Sequence, residues 1–406
     1  MPKTVKIGLL GLGARGKALL EGAIAPVCQE LNMELTALYD PYADRREEGA
    51  RLARQLLGKN PRKCTAPEQM LRDPEIDAVI IATSWEQHIP LALEAMENGK
   101  YVGLEVGGAY ELRDCWQLVD TSERTGMPCM LLENCCYGKR ELMVLHMVRQ
   151  GLFGSVVHCA GGYHHDLREE IISGNINRHY RLRNYLNRNC ENYPTHELGP
   201  IAKVLDINCG NRIVSLNSTA SCARGLHEYA LEKCTPEDPL TKAEFAQGDV
   251  VTTVLKCAKG QTIVLTLDTT LPRTYSRGFT VRGTKGFYAE DGDTVYLDDQ
   301  HRGPEYEFAP QKLWGNAKEF ETSYQHPLWK NYTPSGGHDG MDYLVIRAFL
   351  EAVREKQPVP IDVYDTATLM SISALSEQSI LTGGSVVCVP DFTRGSWYMR
   401  ENTFGK

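Results

Sequence analysis

The sequence predicts an α/β protein with two parts, a parallel sheet flanked by helices and then a second α/β part with a large, open, mainly antiparallel sheet. In the first part, short apolar runs of strand length alternate with helical stretches up to about residue 135. In the second part, residues 214–297 form successive short strands separated by turn signals. A chain of 406 residues accommodates two domains, which we place at residues 1–135 and 136–406.

The composition is that of a globular protein, with 42% hydrophobic and 24% charged residues. The formal net charge of -8, with both signs dispersed, argues against nucleic acid or an anionic membrane as the main partner. The apolar runs are shorter than the ~18–20 residues that a membrane span needs. The N-terminus passes directly into the first predicted strand and the 13 cysteines follow no repeating frame, so we expect no export signal, reduced thiols and a cytoplasmic location.

The first predicted strand runs into a glycine-rich turn, Gly11-x-Gly13-x-x-Gly16, and a helix is predicted after it over residues 17–24. Such glycines permit a tight bend, close approach of the backbone to a pyrophosphate, and close packing of helix on strand. The second predicted strand ends in Asp40, 24 residues after the last of these glycines. A carboxylate there hydrogen-bonds ribose hydroxyls and repels a 2′-phosphate. The pattern predicts a Rossmann dinucleotide-binding domain that prefers NAD to NADP.

The later strands of the first part are each followed by polar residues. The buried run at residues 77–83 leads into residues 84–88, the strand at residues 101–104 into Glu105, and the strand at residues 129–132 into Glu133 and Asn134. Ligands of an open α/β sheet lie beyond the carboxyl ends of its strands. We therefore expect these residues to border the dinucleotide.

The second part begins with a predicted helix at residues 140–149 and a half-buried strand at residues 156–163. Residues 166–192 are polar, rich in Arg and Asn, and poor in apolar periodicity, and a stretch of that length is uncommon unless it is functional. The other predicted elements are a helix that follows Tyr193-Pro194-Thr195-His196 and ends at residue 205, strands at 214–221, 250–257, 262–269, 279–282 and 294–297, a loop-rich stretch at 300–340, and helices at 342–355 and 366–381.

This arrangement resembles the glucose-fructose oxidoreductase, inositol dehydrogenase and MocA superfamily. Its members usually carry Glu-Lys-Pro where this chain has Glu105-Val106-Gly107. Their lysine lies beside the reacting hydroxyl and assists proton transfer. Because a valine cannot exchange a proton, the resemblance argues against the usual mechanism of a sugar dehydrogenase.

A more specific resemblance is to family 109 of the glycoside hydrolases, NAD-dependent glycosidases typified by α-N-acetylgalactosaminidase. Its motifs extend over most of the chain: residues 133–137 (ENCCY), 142–145 (LMVL), 151–154 (GLFG), 193–196 (YPTH), 198–200 (LGP), 275–277 (YSR) and 283–286 (GTKG). There are departures: Glu197 stands where a small residue is usual, and His164-His165 after Tyr163 differs. The sugar specificity is therefore open, with α-N-acetylgalactosamine as the first expectation.

The resemblance implies which side chains meet the two ligands. Together with Gly11, Gly13 and Gly16 of the turn, the NAD contacts would be Ala14, Arg15, Asp40, Trp85, Glu86, Gln87, His88, Glu105, Val106 and Asn134. The sugar contacts would be Tyr163, Arg181, Tyr193, Pro194, Thr195, His196 and Tyr275. We place Glu133 with the sugar site, either as a catalytic carboxylate or as a buried residue behind it.

The implied chemistry begins with transfer of a hydride from C3 of the sugar to NAD⁺, which leaves a ketone that acidifies the C2 proton. A base removes that proton, the group on C1 leaves, water adds at C1, and the hydride returns to C3. His196 suits the base for the 3-hydroxyl, because imidazole is the side chain that most readily exchanges protons near neutral pH. Tyr163 or Tyr193 would take the C2 proton if a cation such as Arg181 lowers its pKa. We favour Tyr163, although the sequence alone does not order the two tyrosines.

Several alternatives stay open. Arg45 and Arg46 favour NADP unless they lie on a solvated helix face. Trp85 is either a wall of the cofactor site or plain core, and His338 is either a site residue or a loop hydrogen-bonder. We predict no metal site, because the adjacent His164 and His165 would point to opposite faces of a strand.

Two rival functions are an NAD-dependent sugar or inositol dehydrogenase and a catalytically silent NAD-binding protein. Our interpretation takes a small carbohydrate as substrate. Since the open sheet of such proteins commonly forms a subunit interface, it also expects a homo-oligomer, a dimer or a tetramer.

Overall fold

The computed structural model describes residues 4–304, 309–334 and 336–405, so that residues 305–308 and 335 of the expected loop-rich stretch lie outside the described residues. Its strands are β1 Lys6–Leu10, β2 Glu34–Tyr39, β3 Arg62–Cys64, β4 Ala78–Ile81, β5 Tyr101–Leu104, β6 Cys129–Leu131, β7 Val156–His164, β8 Ile213–Ala220, β9 Val250–Cys257, β10 Thr262–Asp268, β11 Thr280–Gly283, β12 Gly286–Ala289, β13 Thr294–Leu297 and β14 Val387–Cys388. Its α-helices are Ala14–Leu19, Ala25–Leu31, Ala43–Leu57, Glu68–Leu71, Trp85–Glu97, Leu112–Thr125, Lys139–Arg149, Arg168–Ile172, Gly174–Asn177, Arg181–Asn187, Thr195–Val204, Gly225–Lys233, Asp298–His301, Ala317–Tyr324, Pro327–Lys330, Met341–Glu355 and Val363–Leu381.

The described residues form two compact units. The first contains residues up to 138 together with residues from 331 to 368, and the second contains residues 139–330 together with residues 369–405, within the described ranges. The first unit is thus built from two separate pieces of the chain. The division at residue 135 into a dinucleotide domain and a substrate and assembly domain stays a prediction.

The first unit contains a six-stranded parallel sheet in the order β3-β2-β1-β4-β5-β6. This is the strand order of a Rossmann fold, with the topological switch point between β1 and β4. The residues of β4 are all fully buried, as expected for a parallel strand covered on both faces. The predicted fold class of the first part is confirmed.

The helix Met341–Glu355 belongs to this first unit. It packs on the π-helical turn Leu20–Ile24, which continues the helix that follows the glycine turn. Its Phe349 lies so close to Gly103 of β5 that a Cβ there would stand 2.9 Å from the phenyl ring. Further along the chain, the carbonyl of Ile361 accepts a hydrogen bond from the N–H of Leu131 at 3.2 Å.

The second unit contains an eight-stranded sheet in the order β13-β12-β11-β7-β10-β9-β8-β14. Strands β7 and β10 run parallel and the other neighbours pair antiparallel, which confirms the mainly antiparallel sheet. The parallel pair was not predicted, and the long connection between the two strands permits it. The helix Thr195–Val204 packs on β7.

Several element predictions were wrong. The polar stretch at residues 166–192 contains three short helices, which bury side chains such as Ile171, Leu182 and Tyr185. Helices of four to seven residues are too short to show an apolar period. Residues 85–88, predicted only as polar residues after a strand, form the first turn of the helix Trp85–Glu97, and the helix Gly225–Lys233 and strand β12 were not predicted.

Within the described part of the chain, no helix combines the length and apolar character needed to cross a membrane. All 13 cysteines are free thiols, and most of them are buried.

Candidate active site

The glycine turn of the first unit has the geometry that a dinucleotide requires. Gly11 has a φ of +95°, and a Cβ there would lie 2.2 Å from the carbonyl oxygen of Ala82. A Cβ on Gly16 would lie 1.9 Å from the carbonyl oxygen of Gly11. A Cβ on Gly13 would meet its nearest neighbour, the guanidinium of Arg45, only at 3.5 Å. Two glycines therefore permit the turn, and the third leaves its backbone open to a ligand, so the turn fits a bound pyrophosphate.

Asp40 lies at the carboxyl end of β2 and braces this turn. Its carboxylate accepts hydrogen bonds from the N–H of Leu12 at 2.8 Å and the N–H of Tyr42 at 3.0 Å. Arg46 donates to the Asp40 carbonyl oxygen at 2.6 Å, and the Arg45 guanidinium stands 3.9 Å from the carboxylate. The two arginines thus contact or lie near Asp40. The alternative interpretation from the sequence was that they lie on a solvated helix face.

Arg15, in the first turn of its helix, joins several of the predicted cofactor residues. Its guanidinium donates to both carboxylate oxygens of Asp342, at 2.6 and 2.9 Å, and to Glu105 at 2.9 Å. Asn134 donates to the same Asp342 carboxylate at 2.8 Å, and His338 Nδ1 lies 2.9 Å from it. Two predicted residues, Arg15 and Asn134, therefore converge on the Asp342 carboxylate, and the third, Glu105, is joined to them through Arg15.

The charges of this network reinforce one another. Burial alone would raise the pKa of the Asp342 carboxyl, but hydrogen bonds from His338 and Arg15 outweigh burial and hold that pKa well below its usual range. Burial likewise opposes the charge on Arg15, whose pKa is nevertheless raised by Glu105 and Asp342. Asp342 was predicted only as the start of a helix. No helical spacing links it to His338, which has a φ of +51° and precedes the helix that begins at Met341.

The predicted residues at 85–88 lie in the first turn of a helix. Trp85 is buried against Gly107, where a Cβ would stand 2.5 Å from the indole. His88 is buried, its Nε2 lies 3.2 Å from the Thr83 carbonyl oxygen, and burial lowers its pKa to about 4. Glu86 is half-buried and Gln87 is exposed. Their contacts with NAD, and those of the buried Val106, stay predictions.

Glu133 follows β6 in the first unit and is fully buried. Its carboxylate accepts the N–H of Cys135 at 3.1 Å and so caps the short 3₁₀ turn Asn134–Tyr137. A capping role accounts for one of its oxygens. Whether Glu133 also touches a sugar stays a prediction.

In the second unit, Tyr163, Tyr193 and His196 form a compact group that we call the ring cluster. The ring centroids of Tyr163 and Tyr193 are 4.4 Å apart, and His196 stands edge-on at 4.8 Å from Tyr193 and 5.5 Å from Tyr163. The Arg181 guanidinium lies 5.1 Å from the Tyr193 ring centre and 5.9 Å from that of Tyr163. Tyr275, half-exposed, has its ring 6.5 Å from Tyr163. The structure thus brings the predicted phenols, imidazole and guanidinium together.

Local chain geometry explains this convergence. Tyr163 is near the end of β7, Arg181 begins the helix Arg181–Asn187, and His196 lies in the first turn of Thr195–Val204, which packs on β7. Pro194 is the N-cap of that helix, and the hydroxyl of the buried Thr195 has no hydrogen-bond partner among the described residues. A buried hydroxyl of this kind is suited to a ligand.

Arg181 sets the electrostatics of the ring cluster. Burial would lower its pKa, yet the phenols of Tyr163 and Tyr180 and the carboxylate of Glu170 raise that pKa well above its usual value. Glu170 lies 3.1 Å from Arg181 Nε. A permanent cation beside two phenols favours the phenolate form of either one.

His165 also touches the ring cluster, and the sequence analysis missed it. Its Nδ1 lies 2.9 Å from the Tyr163 hydroxyl, and its ring stands edge-on to Tyr275 at 5.1 Å. The signal was present, because residues two apart on a strand share a face.

Glu197, the buried residue that departs from the family pattern, is paired with the half-buried Arg277. Arg277 lies 3.5 Å from Glu197 and 3.9 Å from Glu290, and it also forms an ion pair with Glu141. Burial raises the pKa of Glu141, although Arg277 opposes that shift. The extra carboxylate after His196 is therefore part of an ion-pair group.

Two family models match successive parts of the chain. Residues 5–132 match the oxidoreductase family with an NAD-binding Rossmann fold, and residues 137–399 match the C-terminal domain of glycosyl hydrolase 109.

Curated relatives are similar over most of their length. An α-N-acetylgalactosaminidase of Tannerella forsythia is 42% identical over 359 residues, covering 83% of this chain and 75% of that protein. A glycosyl hydrolase family 109 protein of Stenotrophomonas maltophilia (strain K279a) is 39% identical over 430 residues, covering 99% and 92%. An α-N-acetylgalactosaminidase of Shewanella oneidensis is 36% identical, covering 97% and 86%.

Solved structures share the fold at low sequence identity. A levoglucosan dehydrogenase in complex with NADH and L-sorbose has a TM-score of 0.69 at 18% identity, covering 96% of this chain and all 100% of that one. A myo-inositol dehydrogenase from Lactobacillus casei in complex with NAD(H) and myo-inositol has a TM-score of 0.64 at 16% identity, covering 98% and 100%.

Proposed function

This chain belongs to glycosyl hydrolase family 109 and is an NAD-dependent glycosidase, and we propose that its substrates are α-N-acetylgalactosaminides. The relatives from Tannerella forsythia and Shewanella oneidensis carry that activity in their names. The ring cluster is the observation that supports the mechanism most directly. Most glycosidases act through a pair of carboxylates, whereas the ring cluster offers two phenols and an imidazole with the Arg181 guanidinium beside them.

NAD is the cofactor, and the first unit fits it. The open backbone at Gly13 and the fixed carboxylate of Asp40 suit a pyrophosphate and a ribose respectively. When bound, NAD supplies a reversible hydride acceptor. We propose that Arg15, Glu105 and Asn134 hold one side of its site, with Asp342 joining Arg15 to Asn134 and Arg15 contacting Glu105.

The remaining proposed NAD contacts are those implied by the family resemblance. They are Gly11, Ala14, Gly16, Trp85, Glu86, Gln87, His88 and Val106.

Within the second unit, we assign the proton handling to two residues of the ring cluster. His196 removes the proton of the sugar 3-hydroxyl, and Tyr163 takes the C2 proton with Arg181 stabilising its phenolate. Tyr193, Pro194, Thr195 and Tyr275 bind the ring of the sugar. Glu133 is proposed as a further sugar-site residue.

Hydrolysis of chromogenic glycosides tests the function. The panel contains α- and β-glycosides, N-acetylgalactosaminides among them, and NADH absorbance is followed in the same cuvette. Aglycone release without net NADH, lost when NAD⁺ is stripped and recovered when it is added, is the expected result. Accumulation of NADH on free sugars without aglycone release would instead favour a sugar dehydrogenase, and cofactor binding with no turnover of any sugar would favour a silent NAD-binding protein.

We further propose a cytoplasmic homo-oligomer, a dimer or a tetramer. The sheet of the second unit supports an interface, because Val254 of β9 and Val157 of β7 are exposed apolar side chains. Light scattering coupled to gel filtration measures the number of subunits.

A further inference from the structure

Tyr163 and His165 form a hydrogen-bonded pair at the end of β7. The Tyr163 hydroxyl and His165 Nδ1 are 2.9 Å apart, and the two rings stand edge-on with centroids 5.5 Å apart. His164, between them in sequence, lies beside Gly278, 3.0 Å from where a Cβ would stand. The two histidines therefore have different surroundings, and His165 alone of the two contacts the ring cluster in the described contacts.

We infer that His165 is a positioning residue that accepts the phenolic proton of Tyr163, so that Tyr163 reaches the sugar C2 as a phenolate. This inference rests on the proposed glycosidase function. It also supports Tyr163 as the base for the C2 proton, because His165 Nδ1 is a proton acceptor within hydrogen-bond distance of the Tyr163 hydroxyl.

The surroundings of the pair keep His165 neutral, and the Arg181 cation that opposes its imidazolium stabilises the Tyr163 phenolate in return. Burial lowers the pKa of His165, the cation of Arg181 and the imidazole of His196 lower it further, and the carboxylates of Glu170 and Asp166 oppose them. His165 is consequently neutral at pH 7 and has a lone pair to offer, in the tautomer with the proton on Nε2. Because His165 is half-buried, its ring can exchange that proton with water.

The protons and electrons balance as follows. The phenolic proton passes from Tyr163 to His165 Nδ1 and leaves a phenolate beside an imidazolium. On the 3-keto sugar the phenolate takes the C2 proton, the C2–H electron pair forms a C1=C2 double bond, and the C1–O bond breaks. The departing oxygen takes a proton from water, and the imidazolium returns one to water, so no charge accumulates. Addition of water at C1 runs the same transfers backwards.

Substitutions separate proton transfer from mere support of the ring. His165→Ala removes the group, and His165→Gln keeps a polar side chain that cannot become a cation. We expect both to lower kcat at least ~10²-fold, the low end for a proton-transfer group, with KM within about threefold of wild type. Added imidazole should restore turnover to His165→Ala. The matched control is His164→Gln, which should retain turnover within about threefold.

Coupling to Tyr163 is the decisive readout. If His165 acts through the phenol, adding His165→Ala to Tyr163→Phe should lower kcat little further than Tyr163→Phe alone. Additive losses, full activity in His165→Gln, or near-normal kcat in His165→Ala would each overturn the inference. NAD content and the circular dichroism spectrum of every variant are measured to check that it binds the cofactor and folds. If a His165 variant has lost NAD, His165→Asn is used in its place.

Exchange at C2 distinguishes failure of this inference from failure of the proposed function. N-acetylgalactosamine is incubated in D₂O with wild type and with His165→Ala, and deuterium at C2 is followed by NMR. Wild-type exchange that disappears in the variant supports the inference even if no glycoside is cleaved. Exchange that persists in the variant overturns it, and an absence of both exchange and cleavage in the wild type overturns both proposals.

Discussion

The guanidinium of Arg15 forms a two-pronged ion pair with the carboxylate of Asp342, at 2.6 and 2.9 Å, across 327 residues of sequence. The same carboxylate accepts a hydrogen bond from Asn134 at 2.8 Å. Asp342 therefore fixes two of the residues that are proposed to hold NAD, although it lies far from the Rossmann motifs in the chain.

Replacing Asp342 should loosen the cofactor. In Asp342→Asn the Arg15 guanidinium loses a buried charge partner, and we expect NAD affinity to fall by at least ~10-fold, since breaking a buried pair is costly. Calorimetric titration of the stripped protein with NAD⁺ measures this. The matched control is Asp339→Asn. Asp339 is exposed and has a left-handed backbone conformation, which asparagine tolerates. Equal affinities in the two variants would contradict the role of Asp342.

The three glycines of the turn should respond differently to alanine. Gly16→Ala places a Cβ 1.9 Å from a carbonyl oxygen and should destabilise the fold by about 1–3 kcal/mol or prevent folding. Gly13→Ala has space in the protein and should keep its melting temperature while it weakens NAD binding. Thermal unfolding with and without NAD⁺ separates the two effects. A Gly13→Ala variant that binds NAD normally would place the pyrophosphate elsewhere.

His196 should be essential to turnover. Because it is proposed as the base for the 3-hydroxyl, His196→Ala should lower kcat at least ~10²-fold. Bound NAD is measured in parallel, since the residue is proposed to act on the sugar. Near-normal turnover would remove His196 from the mechanism.

Glu191 should make stability depend on pH. Its carboxyl is buried and accepts the N–H of Tyr193, and burial outweighs that hydrogen bond and raises its pKa to about 8. An unfolded glutamate has a pKa of about 4.3, so the folded state binds this proton more tightly. Stability from this group is thus fully present at low pH and is lost as pH rises towards about 8.

Glu191→Gln removes that titration. The difference in melting temperature between Glu191→Gln and wild type should increase by at least ~2 °C in favour of the variant from acidic to alkaline buffer. The amide oxygen of the new glutamine can still accept the N–H of Tyr193. The exposed Glu237→Gln serves as control. Parallel pH profiles for wild type and Glu191→Gln would show that this carboxyl ionises normally.

The Rossmann sheet could be predicted because its signals are local. A short continuous apolar run such as β4 is typical of a buried parallel strand. The helix Leu112–Thr125 has apolar residues at helical spacing from Leu112 to Val119. The helix Gly174–Asn177 spans a single turn, and so its sequence carries no such period.

The candidate site divides in the same way. Residues such as Tyr193 and His196 lie in one short motif, and their contact follows from it. Asp342 could not be predicted as a partner of Arg15, because no local pattern links positions so distant in the chain. His165 could have been predicted from its two-residue spacing to Tyr163.

The helix Met341–Glu355 has a consequence for how the protein is made. It packs on the turn Leu20–Ile24, so the N-terminal unit contains a piece that leaves the ribosome only after the whole 139–330 segment. Domains generally fold as units, N-terminal first, during synthesis. In this chain, the surface of the Rossmann unit that the helix Met341–Glu355 covers stays exposed until that helix has been synthesised. A chain truncated before residue 341 should therefore be a substrate for chaperones and proteases.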